Sequence, residues 1–258
     1  MFWGVERIME FERMNGRNLF LAVGIAWIFL LFLTGCAGTT PPVASKPVER
    51  EAGAPGAAGW WYARFRMVWS ENTDVDWSLD TLIADRIVSP VLQRYRNHIR
   101  LWRFHRRAAA DQAGHQFSFI FYASPETAQR IYHDIDRNVL LDRLKGDGKL
   151  KQVVYDDTNE IGRPNYQDTS DKHWPMVIQK SWPHFIQGAS RMWLELVQTL
   201  APEAQQRHPE DLYAVYREVQ SAVNKLWLDE GGHVFLHHLS ALYAYQPVIV
   251  TERQAVRF

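Results

Sequence analysis

WWYARFRMVW, at residues 60–69, is the clearest strand signal in this 258-residue sequence. Its aromatic and β-branched residues are those that favour strands. Three later segments share this character: IRLWRFHRR at 99–107, HQFSFIFY at 115–122 and LKQVVY at 150–155. We therefore predict four strands, and the alternating residues within 99–107 and 115–122 indicate that their two faces differ.

Helical patterns lie between the first and second strands and between the third and fourth. Residues 79–95 carry apolar residues at spacings of three and four, and Pro90 is expected to kink or split that helix. Ser124, Pro125 and Glu126 are a typical start for the second helix. The resulting order, βαββαβ, predicts an α+β fold with the split βαβ pattern of a ferredoxin-like sandwich over residues 60–158.

The sequence pattern of residues 159–258 predicts a mainly helical structure. Apolar stripes at helical spacing begin near Phe185 and Pro209, and a last helix is expected from about His233 to Tyr245. We expect this C-terminal half to pack on the sandwich, to cover the sheet face that the first two helices leave open, and to make one compact unit with it. Residues 248–256 could add an edge strand.

The N-terminal region has the pattern of a secretory signal peptide. Residues 19–33 form an uncharged apolar run, Arg13 and Arg17 precede it, and small residues follow it. Because the run is about 15 residues long, it is shorter than the roughly 20 that a membrane-spanning helix needs. The run ends in four informative residues, Leu33, Thr34, Gly35 and Cys36.

Those four residues resemble the lipobox of bacterial lipoproteins. The resemblance implies that residues 1–35 are removed, that signal peptidase recognises Leu33, Thr34 and Gly35, and that Cys36 carries the lipid. Residues 36–59, rich in Pro, Ala and Gly, would then be a disordered tether. Ala37 after the cysteine favours the outer membrane, with the protein facing the periplasm.

Composition excludes several functions. The 29 basic and 29 acidic side chains balance, which argues against a nucleic-acid partner. Cys36 is the only cysteine, so a lipidated chain has no thiol for a disulfide, a zinc site or a nucleophile. With no catalytic motif, we expect a non-catalytic envelope protein that binds a protein partner or an envelope component, and no cofactor.

A histidine pair offers the alternative function, a periplasmic metal-dependent hydrolase. His233 and His237 are four residues apart, so on a helix they share a face and could share a transition metal. Glu230 or Asp229 could supply a third ligand. Val234 follows His233, so the general-base Glu of the zincin motif is missing. The competing interpretation is that these imidazoles are ordinary residues of a packed helix.

Three basic residues with a period of two suggest an anion-binding site. Arg103, His105 and Arg107 would share one face of the second strand. Their side chains could bind a carboxylate, a phosphate or a lipid headgroup. The competing interpretation is an outer sheet face whose arginines pair with the acidic residues of the chain.

Overall fold

The computed structural model describes residues 57–70 and 73–247, and the α+β class predicted from the sequence is confirmed there. The strands lie within two residues of their predicted bounds, because their residue types and alternation mark them clearly. They are β1 (Gly59–Met67), β2 (Leu101–Ala108), β3 (His115–Ala123) and β4 (Leu150–Tyr155).

Helices fill the two long connections and most of the C-terminal half. They are α1 (Ser78–Ile83), a π-helical turn (Ala84–Val88), α2 (Ser89–Arg94), α3 (Pro125–Asp136), α4 (Val139–Gly146), a 3-10 turn (Tyr166–Thr169), α5 (Met176–Arg207), α6 (Leu212–Gly231), a second π-helical turn (Gly232–His237) and α7 (His238–Leu242).

Local sequence explains where several helices begin. At the start of α3, the Ser124 hydroxyl accepts a hydrogen bond from the Thr127 N–H, as the sequence predicts. Asn138 caps α4 in the same way through the Leu140 N–H, so the single predicted second helix is in fact two. Pro90 is the second residue of α2, directly after the π-helical turn, so the helix predicted over residues 79–95 is divided into α1, that turn and α2.

The four strands form one sheet in the order β2-β3-β1-β4, and every neighbouring pair is antiparallel. Trp61 is opposite Phe121, which is opposite Trp102, so these side chains share the face that we call the first face. Successive residues point to opposite faces, and the second face therefore carries Trp60 and Tyr122.

The first face holds the main core. Side chains of the sheet meet apolar residues of α1 to α6 in one continuous buried cluster. Phe104 of β2 joins the sheet to α5, with its ring 5.1 Å from that of Phe117 and 5.6 Å from that of Trp193 in α5. The sheet residues of this cluster with 1% exposure or less are Trp61, Ala63, Phe65, Phe117, Phe119, Phe121 and Ala123.

One end of the second face is covered by a loop. The Trp60 indole donates to the Asn165 carbonyl at 3.0 Å, and the Tyr122 hydroxyl donates to the Pro164 carbonyl at 2.6 Å. The Tyr166 ring packs 4.6 Å from that of Tyr122. A small cluster of Trp60, Leu101, Ile120 and Tyr122 is buried beneath this cover.

The expectation that the helical half covers the open face is wrong. Helix α5 lies along the free edge of β2, where the Ser190 hydroxyl accepts the Phe104 N–H at 3.0 Å, and Trp193 reaches the first face. A helix at this position satisfies backbone groups that an open edge would expose. The helices therefore enlarge the existing core, and the rest of the second face is left to polar residues.

Among the described helices, none has both the length and the apolar character needed to cross a membrane. The predicted signal peptide, the lipobox with Cys36 and the tail at 248–256 lie outside the described residues.

Candidate anion-binding surface

Four basic side chains lie next to one another on the second face, beyond the covered end. Arg64 and Arg66 come from β1, and His105 and Arg107 come from β2. We call these four residues the basic face. They occupy one face because each pair is separated by two positions on its strand, the period at which side chains repeat.

The strand between them supplies a short polar floor. Ser118 of β3 is paired with both Arg64 and His105, and Gln116 is paired with both Arg66 and Arg107. Neighbouring strands are about 4.8 Å apart, so the β1 and β2 side chains stand about 10 Å from each other. Ser118 is 2% exposed and Gln116 is 7% exposed, so the longer flanking side chains shield this row.

Two of the four basic groups have carboxylate partners at the rim. Arg64 donates to Asp156 at 2.8 Å, and Arg107 pairs with Asp111, which lies four residues further along the chain. The Arg107–Asp111 pair is a surface pair of the kind that contributes only about 0–1 kcal/mol, so Arg107 can exchange its partner at low cost. The Arg64–Asp156 pair is largely shielded from solvent and holds Arg64 in place.

Arg66 is different, because its Nε is buried and has no hydrogen-bond partner within residues 57–70 and 73–247. A buried donor without an acceptor costs about 1–3 kcal/mol. Arg66 stands beside Gln116 on one side and Gln152 of β4 on the other. Its positive charge thus has no carboxylate opposite it in the sheet, and an anionic ligand at the surface could offset that charge.

His105 is the other basic residue that β2 contributes to the basic face. The residue is exposed, yet its pKa is lowered, first by desolvation at the sheet surface and then by the charges of Arg103 and Arg107. An anion at this surface would offset those charges and favour the protonated imidazole. The histidine can therefore add a positive charge when an anion binds.

Arg103, the first of the three residues predicted from the sequence, has a different role. It lies on the same face opposite Ile120, but its Nε donates to the Thr169 hydroxyl at 2.9 Å. Burial lowers its pKa, and nearby Tyr62 partly opposes that effect. Arg103 therefore holds the covering loop at the border of the basic face.

A second arginine pair marks the same border on the β1 side. The Tyr62 ring has the Arg64 guanidinium 4.5 Å and the Arg163 guanidinium 4.1 Å from its centre. Both arginines also pair with Asp156. Because cation–π contacts and a shared carboxylate hold them, these side chains are ordered before any ligand arrives.

The predicted histidine pair lies elsewhere, at the far end of the helical half. His233 and His237 are exposed, with ring centres 5.4 Å apart, and His238 lies 5.4 Å from each of them. Glu230 is exposed near the end of α6. Over the described parts of the chain, no group of three or more His, Cys, Asp or Glu side chains is arranged to hold a metal ion.

The pattern along β2 does not include Arg64 and Arg66. The signal that could have identified them is the alternation within residues 60–69, which puts both arginines on one side of the strand. Only the strand pairing shows that this side is also the side of His105 and Arg107.

Comparison with protein-family models, curated proteins and solved structures gives no match. Function is therefore inferred from the geometry of the chain itself.

Proposed function

We propose that this chain is a lipid-anchored, non-catalytic protein of the bacterial outer membrane that faces the periplasm and binds phosphate groups of envelope lipids through its basic face. The observation that carries the proposal is the placement of Arg64, Arg66, His105 and Arg107 on one sheet face, in two rows that flank β3. The lipid at Cys36 rests on the lipobox resemblance.

Phosphate suits this surface better than other anions. A guanidinium group presents several N–H donors in one plane, and phosphate offers several acceptor oxygens to them. A flat sheet surface can approach a membrane over its whole width, whereas a deep pocket would select a single small anion. Arg66 stands between Gln116 and Gln152 with no carboxylate opposite it in the sheet, so its charge gains most from a phosphate group.

The expected affinity is low for a free protein and adequate for a tethered one. A basic side chain near an anionic bilayer contributes about 1 kcal/mol, so the three arginines contribute about 3 kcal/mol and His105 adds about 1 kcal/mol when it is protonated. That free energy corresponds to a dissociation constant in the millimolar range. Between Cys36 and Gly59 there are 22 residues, and a coil of that length spans about 25 Å on average. The anchor would thus keep headgroups at a high effective concentration.

We also propose that residues 60–158 adopt the ferredoxin-like arrangement. The order β2-β3-β1-β4, the three antiparallel pairings and the helical segments between β1 and β2 and between β3 and β4 support it. In that arrangement both helical connections lie on one face of the sheet, and the opposite face stays available for a surface such as the basic face.

A single introduced cysteine tests whether the basic face meets the membrane. Gln152 is exposed and pairs with Arg66, so Gln152→Cys puts a labelling site beside the surface. Because the native Cys36 would carry the lipid, the new thiol is the only one that reacts. The lipidated full-length protein, labelled with a fluorophore, is reconstituted into vesicles whose headgroups carry a quencher. We expect quenching in vesicles of phosphatidylethanolamine with phosphatidylglycerol and little in phosphatidylcholine vesicles.

The controls separate the face from the anchor. Arg191→Cys gives a label on α5 that should stay unquenched. Arg191→Gln removes one positive charge outside the basic face, so it should leave the quenching at position 152 unchanged. Arg66→Gln with Arg107→Gln should abolish quenching at position 152, as should high salt. Equal quenching at positions 152 and 191, or equal quenching in both vesicle types, would contradict the proposal.

The second candidate is the metal-dependent hydrolase using His233 and His237. The proximity of three imidazole rings, with His238 added by the π-helical turn, favours it. The metal content of the purified full-length protein tests it. Stoichiometric zinc that is lost in His237→Gln would support this candidate, and a metal-free protein that gains no zinc on dialysis would contradict it.

A further inference from the structure

A small cavity opens on the opposite side of the sheet from the basic face. Its volume is about 280 Å³, and it is lined by Trp77, Arg106, Gln220 and Asn224. Arg106 is paired with Phe117 across the strands, so it belongs to the first face. The cavity therefore lies where the sheet, the start of α1 and helix α6 meet, and it joins the two halves of the chain.

The Arg106 guanidinium is held in one position. Its Nε donates to Asp80 at 2.8 Å, and its second terminal nitrogen donates to the Trp77 carbonyl at 2.8 Å and to the Gln220 side chain at 2.9 Å. The group also lies 5.2 Å from the centre of the Trp77 ring and 4.9 Å from that of Trp193. A guanidinium that is already ordered loses little entropy when it binds a ligand.

Two donors of Arg106 remain available. Of its five N–H groups, those on the other terminal nitrogen have no acceptor within the described residues, and the side chain is 23% exposed. Asp80, which is wholly buried, accepts from both Arg106 and His115. The carboxylate thus fixes the orientation of the arginine and leaves that nitrogen without a partner among the described residues.

A chain of hydrogen bonds orients a second donor toward the same space. The Gln220 oxygen accepts from Thr81 at 2.6 Å and from Arg106, so its amide nitrogen must point the other way. That nitrogen donates to the Asn224 oxygen at 2.7 Å. Asn224 is exposed and lines the cavity, and its amide nitrogen has no acceptor in the described part of the chain.

We infer that this cavity binds a small organic carboxylate, about the size of an amino acid or an acidic monosaccharide. The free nitrogen of Arg106 and the Asn224 amide supply the donors that a carboxylate needs, and the Trp77 indole supplies an apolar wall. The cavity is shallow and largely open to solvent, so it suits a small polar ligand that stays partly hydrated. The inference is independent of the basic face and of the lipid anchor.

Asn224→Asp tests the inference without a change of volume. The new side chain can still accept from Gln220, but it loses the donor and adds a negative charge beside the ligand. The full-length protein in mild detergent, with ¹⁵N in its indole groups, is titrated with N-acetylmuramic acid and with benzoate. We expect a saturable shift of the Trp77 indole signal for both, and a loss of affinity of at least tenfold in Asn224→Asp.

A neutral analogue of each probe shows whether the protein recognises the carboxylate group. N-acetylglucosamine and benzamide should bind at least tenfold more weakly than their carboxylate counterparts. Asn97→Asp makes the same chemical change at an exposed turn and should bind like the unmodified protein. The inference is overturned if neither carboxylate shifts the Trp77 signal, if the neutral partners bind equally well, or if Asn224→Asp retains the affinity.

Discussion

The two faces of the sheet are made by the same four strands, yet they hold opposite kinds of residue. On β3, Phe119 is fully buried in the aromatic core, and its neighbour Ser118 is 2% exposed under the arginines of the basic face. The first face gains free energy from every apolar group that it removes from water. The second face keeps charged groups close together, and one of them, Arg66, has a buried nitrogen without an acceptor in the described residues. Stability therefore explains the residues of the first face but not those of the basic face.

The largest effect is expected where the first face is broken. Phe119→Ala removes a fully buried ring that packs 4.9 Å from the Phe121 ring, and should lower the free energy of unfolding by about 3–5 kcal/mol. Ser118→Ala, one residue away on the other face, removes only an acceptor for Gln116 and should cost about 1 kcal/mol. Chemical denaturation of both variants measures the difference. Equal losses would mean that the two faces contribute alike.

A smaller loss is expected from the charged network beneath the cavity. Asp80→Ala removes the carboxylate that Arg106 and His115 share. Removal of one partner from a fully buried ion pair costs about 3–5 kcal/mol, and the partial exposure of Arg106 reduces this to about 2–3 kcal/mol. Denaturation curves compared with those of Asp111→Ala, whose pair with Arg107 is exposed, provide the check. A loss below 1 kcal/mol would show that solvent reaches this network.

The strands of the fold are predictable from sequence because aromatic and β-branched residues mark them, and the start of α3 is predictable because Ser124 caps it. The cover of the second face is not predictable in this way. Residues 163–169 have no periodic pattern, and their contacts with Trp60 and Tyr122 are made mainly by backbone carbonyls, which no side-chain pattern reveals.

Candidate sites were predictable only where one strand carries the pattern. Arg103, His105 and Arg107 stand out along β2, but the strand register is needed to add Arg64 and Arg66. The cavity behind the sheet was beyond prediction, because Arg106 and Gln220 are 114 residues apart in sequence. Contacts at such separation depend on the packing of α6 against the rest of the fold.

The basic face should also differ from the first face in a modest pH dependence of stability and membrane binding, which His105 provides. The lowered pKa of His105 means that its positive charge appears only as the pH falls below about 6.5, the usual value for histidine. In the folded protein this protonation is disfavoured relative to the unfolded chain, so it reduces stability as the pH falls through that window. On an anionic membrane the same charge should strengthen binding by about 1 kcal/mol, or about fivefold. Vesicle quenching measured between pH 7.5 and pH 5 with His105→Gln as control tests this, and an identical pH response in that variant would exclude His105 as the source.

The smallest effect has the most direct bearing on why the second face is basic. Arg66→Met keeps most of the length of the side chain but removes both the charge and the buried Nε without an acceptor. Because a buried unsatisfied donor is costly, the variant should be as stable as the original protein or more stable, by up to about 1 kcal/mol. Denaturation tests the stability, and quenching at position 152 should fall at the same time. A residue that lowers stability but strengthens membrane binding is explained by binding. If Arg66→Met instead destabilises the protein by more than 1 kcal/mol, Arg66 has a structural role, and the basic face loses its strongest support as a binding surface.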